Sequence, residues 1–260
     1  MLTVISPAKR LDFGDWSGPA TQPRFTREAN LLAGHARQLS LSALKGLMGL
    51  SDDLARLNRD RFRAFAPASD RDNAKPAALA FAGDTYAGLD AASLDADALD
   101  WAQERLRILS GLYGLLRPRD LIQPYRLEMG SRLKTRRGGS LYAFWGDTLA
   151  RTLTEEVRGQ GGDTLLNCAS QEYFAAADRP ALDLRVITPV FLEDRPGGPK
   201  VISFQAKRAR GAMARYVIDN RLTGPEAILE FDRGGYEYAP DLSEPGRPAF
   251  LRRASDRAVA

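Results

Sequence analysis

The sequence has almost none of the residues that build metal and redox sites. Cys168 is the only cysteine in 260 residues, which rules out an intrachain disulfide and fits a reducing compartment. His35 is the only histidine, and one Cys with one His cannot complete a zinc finger or any nitrogen- and sulfur-rich metal site. A carboxylate-only iron site stays open, without a Glu-x-x-His pair to support it. A lone cysteine also lacks the resolving partner a redox sensor needs. No apolar run approaches the roughly 18 residues that cross a bilayer, and Leu2 to Ile5 is too short for a signal-peptide core. P-loop, Rossmann glycine fingerprint and His-based dyad are all missing. Charge of one sign is not in surplus either. Against 37 Lys and Arg stand 33 Asp and Glu, so affinity for a polyanion must come from clustering. No metal, no cofactor and no membrane partner are expected, and the expected location is cytoplasmic. Without repeats, low-complexity tracts or a linker, residues 1–260 read as one domain, with 253–260 frayed.

What the sequence does contain is a cation-rich helical stretch at 203–222, SFQAKRARGAMARYVIDNRL. Val201, Ile202 and Phe204 predict a strand leading into it. From Lys207 onward, Ala209, Met213, Tyr216 and Val217 recur at the three- and four-residue steps of one helix face. At about 100° per residue, Lys207, Arg208, Gly211 and Arg215 fall opposite, with Arg210 and Arg221 at the edge. Gly211 leaves a bare patch in that stripe, at a cost of about 1 kcal/mol relative to alanine. A row of cations facing a polyanion is one reading, and a solvated surface helix is the other.

Elsewhere the pattern is mixed α/β. Leu2 to Ile5 is a short strand, and Pro7 forces Ser6 out of the helical region, so the chain turns there. Ligands of open α/β sheets sit beyond the carboxyl ends of strands, which would present Ser6 and Lys9. A helix carrying His35 is expected over 26–39. In 42–58, Leu44, Leu47, Leu54 and Leu57 anchor two helices around Gly49, Leu50 and Ser51. This resembles the helix-hairpin-helix DNA-binding motif, whose hairpin turns backbone N–H groups toward a phosphate. Ser51 stands where that motif has its second glycine, and Asp52 and Asp53 bring negative charge to the phosphate side. A buried strand is expected over 79–82, a turn over 83–89, a helix over 101–109 and an extended segment over 125–129. The four cations Arg132, Lys134, Arg136 and Arg137 read as a basic loop, followed by a helix over 141–153. Thr164 to Cys168 reads as a strand with Cys168 buried, and Ser170 as the N-cap after it. Strands are expected over 185–192 and 200–206, joined by a Pro/Gly loop, and over 227–231, 236–239 and 249–252.

Several segments resemble one family in order along nearly the whole chain. They are SPAK at 6–9, FAGDTYAGL at 81–89, LSGLYGLLRP at 109–118, PYRLEMG at 124–130, FWGD at 144–147, NCAS at 167–170 with Glu172, Tyr173 and Phe174, and the 203–222 stretch. These match the YaaA-like (UPF0246) proteins. The resemblance implies a cytosolic bacterial protein of the hydrogen-peroxide stress response, linked to limiting free intracellular iron. It also implies a single-domain α/β "cantaloupe" fold with a helix-hairpin-helix element, a positively charged cleft and binding to DNA. With no nitrogen and sulfur ligand set in the chain, any effect on iron is expected to be indirect or to follow from DNA protection.

The leading expectation is sequence-independent binding of DNA, bubbled or distorted duplex included, by a monomer. Ser6, Lys9, Lys207, Arg208, Arg210 and Arg215 would hold phosphates in the cleft, with Gly49, Leu50 and Ser51 as a second contact. Tyr86, Tyr125 or Tyr173 could stack on exposed bases. The rival is an enzyme or small-ligand binder acting on a nucleotide or other phosphorylated compound through Lys9, Asn167, Ser170 and Glu172. Glu172 beside Lys9 in a closed pocket would favour that rival. A third reading is a scaffold whose cations serve internal salt bridges.

Overall fold

The computed structural model of the chain describes residues 1–253. β1 (Leu2–Ile5) and a two-residue β2 (Arg10–Leu11) precede helices α1 (Thr26–Arg37), α2 (Leu41–Met48) and α3 (Asp52–Ala64). Short elements follow: β3 (Lys75–Pro76), α4 (Ala77–Ala80), β4 (Phe81–Ala82) and α5 (Asp84–Leu89). α6 (Ala96–Arg105) runs straight into β5 (Leu106–Ser110), and β6 (Gly114–Leu116), β7 (Leu121–Ile122), α7 (Leu141–Trp145) and α8 (Thr148–Gly159) come next. β8 (Thr164–Cys168), α9 (Gln171–Phe174), β9 (Arg185–Ile187), β10 (Val190–Glu193), α10 (Ser203–Asp219), β11 (Tyr236–Tyr238) and β12 (Ala249–Arg252) complete the order.

The main sheet is mixed, in the order β6-β5-β1-β8-β9. β1 lies parallel between β5 and β8, β9 extends the parallel side, and β6 folds back antiparallel on β5. β1, β5 and β8 are buried at every position, as their near-continuous apolar runs require of strands covered on both faces. A smaller sheet pairs β12 parallel to β10 and antiparallel to β11. One hydrophobic cluster runs from Met1 to Phe250 and joins both sheets, so the mixed α/β expectation holds in a single domain. No helix among the described residues is long and apolar enough to cross a membrane. Residues 254–260, most of the tail read as frayed, lie outside the described residues.

Several local expectations are corrected. No strand forms over 200–206: a lone bridge joins Glu193 to Lys200, and α10 already begins at Ser203. The 83–89 turn is helix α5, and the 101–109 helix ends at Arg105, where Leu106–Ser110 joins the sheet. The helix over 141–153 is two, α7 and α8, and the strand over 227–231 is a 3-10 turn, Glu226–Glu230.

The position of α10 explains the gap at Gly211. It crosses α5 backbone against backbone: a Cβ on Gly211 would overlap the Thr85 carbonyl oxygen, and one on Gly88 would overlap that of Arg208. Gly211 is therefore a packing contact and not a bare patch in a solvent-facing stripe.

Candidate functional site

The ends of β1 and β8 meet as the topology requires. Ser6 Oγ accepts a hydrogen bond from the Ser170 backbone N–H at 2.8 Å and lies 3.3 Å from Ser170 Oγ. The Ser6 carbonyl accepts from Tyr86 Oη at 3.1 Å. Ser170 occupies the N-cap position of α9, but its side chain caps no helix N–H. Asn167 faces its own neighbourhood, with Oδ1 accepting from the Ala169 N–H at 3.0 Å and Nδ2 donating to Thr188 Oγ1 at 3.3 Å. The carboxylate beside Lys9 is Glu128, 3.0 Å from Nζ, and Glu128 also takes Arg126 at 3.0 Å. Glu172 accepts from the Gly130 N–H at 3.0 Å, which holds the chain after Glu128 against α9. The structure thus brings Ser6 and Ser170 together and gives Lys9 and Glu172 separate partners.

The tyrosines are core. Tyr86 and Tyr125 are buried, and burial pushes both phenols, with that of Tyr173, well above the ordinary tyrosine value. Tyr125 shares a 2.6 Å hydrogen bond with Ser110 Oγ and packs edge-on against Tyr113. None of this leaves Tyr86 or Tyr125 a face for an exposed base. Burial likewise pushes the Cys168 thiol up to about 12, against the opposing charge of Arg210, so it stays protonated and inert.

The cations of α10 have separate fates. Lys207 and Arg208 are exposed and form no ion pair with a described residue. Arg210 is largely withdrawn from solvent, and burial lowers its guanidinium from the ordinary arginine value. Arg215 is used internally: it pairs with Asp219 at 2.8 Å and donates to the Asp90 carbonyl at 2.9 Å and Ser93 Oγ at 2.6 Å. It closes the C-terminal end of α5, where cations are favoured. Burial alone would raise the Asp219 carboxyl, but hydrogen bonds from Arg215 and Arg233 bring it below its ordinary value. That stabilisation is present above the ordinary carboxylate range and is lost as pH falls through the lowered value. Arg215→Ala should cost about 1–3 kcal/mol in urea denaturation near neutral pH. Unchanged stability in that variant would refute the structural role.

Two helices, α2 and α3, flank a tight turn at Gly49 to Ser51. Gly49 adopts φ 61°, Ser40 caps α2 by accepting from the Ala43 N–H, and Ser51 caps α3 by accepting from the Leu54 N–H. Leu50 is buried. Lys45 reaches across the turn to Asp52 at 2.6 Å, and that hydrogen bond holds Asp52 below the ordinary carboxylate range. Gly49 and Ser51 remain exposed beside these acids.

The basic loop expected over 132–137 is present as an irregular strip ended by a tight turn, where Thr135 pairs with Gly138. Ser131 and Leu133 are buried while Arg132, Lys134 and Arg136 are exposed, none of the three paired with a described carboxylate. Arg137 is held apart, 3.6 Å from Glu28 and over the Phe144 ring. The burial alternation runs only from Ser131 to Lys134, before the turn begins. A groove of about 760 Å³ runs between this strip and the first two helices, lined by His35, Ala43 and Leu47 on one wall and Gly130, Arg132 and Lys134 on the other. Gly130 is also the residue that Glu172 holds, so the groove adjoins the strand-end cluster. Among the described residues, no group of three or more His, Cys, Asp or Glu is arranged to hold a metal ion.

A family model described as "Peroxide stress protein YaaA" matches residues 1–242. A UPF0246 protein of Ruegeria pomeroyi is 66% identical over 252 residues, 97% of this chain and 98% of that protein. One of Roseobacter denitrificans is 61% identical over 254 residues, with 97% and 98% covered. One of a Jannaschia species is 60% identical over 260 residues, with all of both chains covered. By these matches, the chain belongs to the YaaA peroxide stress protein family.

Proposed function

We propose that the chain binds DNA through its phosphates, without reading sequence, and protects it during peroxide stress. The observation that carries this reading is the groove with α1 and α2 on one wall and the unpaired cations Arg132 and Lys134 on the other. Arg132, Lys134 and, in the turn after them, Arg136 form a short row of exposed, unpaired charges. Such a row suits a sugar–phosphate backbone, and contacts to phosphate carry no sequence information. Lys207 and Arg208 supply a second cationic patch, and the exposed turn at Gly49 and Ser51 a third point of contact. Arg210, Arg215 and Leu50 drop out of the contact set because each is buried or engaged within the fold. Lys9 could contribute only by giving up Glu128.

The test is fluorescence anisotropy with labelled duplex and bubbled duplex across a salt series. Each phosphate neutralised on duplex DNA adds about 0.9 to the salt slope, so Arg132→Ala/Lys134→Ala should reduce it by about two. An unchanged slope in that double variant, or no binding at low salt, would overturn the proposal.

A further inference from the structure

A second concave site lies away from the basic strip. The loop carrying Phe13 and Trp16 faces α3 across a cavity of about 800 Å³. Small-molecule sites occupy about 300–1,000 Å³. Its apolar wall is unusually open to water: Phe13 is 37% exposed and Leu57 44%. Leaving such groups wet forgoes burial, and exposed apolar surface in a concave site marks binding. Trp16 is fixed in place, its indole N–H donating to the Ala74 carbonyl at 3.1 Å. The Arg71 guanidinium lies 4.7 Å from the ring centroid and is itself tied to the Gly18 carbonyl at 2.7 Å. A ring immobilised in this way loses little further entropy when a ligand packs on it.

Charge completes the site. Arg61 stands four residues after Leu57 on α3, hence on the same helix face, and lines the same cavity. It is half-buried with no carboxylate partner among the described residues, and burial together with the like charge of Arg126 lowers its guanidinium. Lys75, by contrast, is answered by Asp12 at 3.3 Å. A partly desolvated cation without a counter-ion is an anion site beside an apolar wall. Asp15, Asp60 and Asp72 on the cavity lining set the limit, since they would repel a polyphosphate, although Asp60 is answered by Arg59 at 3.0 Å.

We propose that this cavity binds a single nucleotide monophosphate, its base against Phe13, Trp16 and Leu57 and its phosphate at Arg61. A free mononucleotide and an unstacked nucleotide of a strand offer the same chemistry. The inference does not depend on the DNA reading.

The test titrates the full chain with AMP, ATP, adenosine and a tetranucleotide, following tryptophan emission with calorimetry in parallel. AMP should quench the emission to saturation, and Trp16→Phe should remove that signal. Adenosine, and ATP because of these acids, should each bind at least about tenfold more weakly than AMP. Arg61→Gln should weaken AMP by at least about tenfold. Leu57→Asp, at an exposed helix position that tolerates a polar residue, should do the same if the arginine variant does not fold. Saturation by the tetranucleotide alone would assign the site to a strand, and saturation by AMP to a free nucleotide as well. Arg132→Ala/Lys134→Ala should leave AMP binding unaltered, so the two sites fail separately. No saturation by AMP or the tetranucleotide up to about 10 mM, or full affinity in both Arg61→Gln and Leu57→Asp, would overturn the assignment.

Discussion

Gly211→Ala should destabilise the protein by roughly 3 kcal/mol or more, although alanine is the better helix former by about 1 kcal/mol. The two effects oppose each other, and geometry decides. Besides overlapping the Thr85 carbonyl oxygen, the added Cβ would lie 2.7 Å from the Thr85 carbonyl carbon and 2.9 Å from the Leu89 nitrogen. These are backbone atoms of α5, so no rotamer change can relieve the clash and the helices must separate. Gly88 meets α10 in the same way, with a Cβ 2.8 Å from the Ala212 nitrogen. At about 2–4 °C per kcal/mol for a chain of this size, the melting temperature should fall by roughly 6–12 °C. Gly34→Ala is the control, because α1 leaves nothing within 4 Å of its Cβ. It should gain up to about 1 kcal/mol. If Gly211→Ala matched that gain, the close crossing would be refuted.

Glu193→Leu should cost about 3–5 kcal/mol, while Glu193→Leu/Arg252→Met should cost far less. Glu193 is 0% exposed and accepts from Arg252 at 3.0 and 3.2 Å and from Tyr236 Oη at 2.6 Å. Each of the three strands of the small sheet contributes one member. Removing the carboxylate alone strands a guanidinium that is only 9% exposed, and the desolvation penalty of that charge dominates the loss. Replacing both partners removes the charge along with its counter-ion. Urea denaturation of the two variants separates these cases, and equal losses would mean that packing, not charge, sets the energetics.

The sequence was most legible where one physical signal acted alone. β1 and β8 are short apolar runs with turn residues behind them, and both are strands. It was least legible where tertiary contact outweighed local pattern. Gly83 and Gly88 read as turn punctuation, yet α5 uses Gly88 to meet α10. Val201, Ile202 and Phe204 carry strand propensity, but no partner strand extends past the Glu193–Lys200 bridge, and the helix begins at Ser203. The helical reading from Trp101 runs on to Leu109 in sequence, while burial on both faces makes 106–110 a strand. Site residues divide in the same way. Ser6 and Ser170 follow from strand ends, which topology brings together. Glu128 for Lys9 and Asp90 for Arg215 do not, since each is more than a hundred residues away in sequence, unlike Asp219, one helical turn from Arg215. Ion pairs between distant segments leave no periodic trace.

The position of β1 also orders events during synthesis. Its neighbours in the sheet, β5 and β8, begin at Leu106 and Thr164, so the first strand emerges from the ribosome long before either exists. At about 5–20 residues per second, it waits roughly 10–30 s for its second edge to be covered. An apolar strand with both edges open is a template for pairing with other chains. Pro7, Lys9 and Arg10 follow it immediately, and a residue without an N–H together with two positive charges opposes such pairing during that interval.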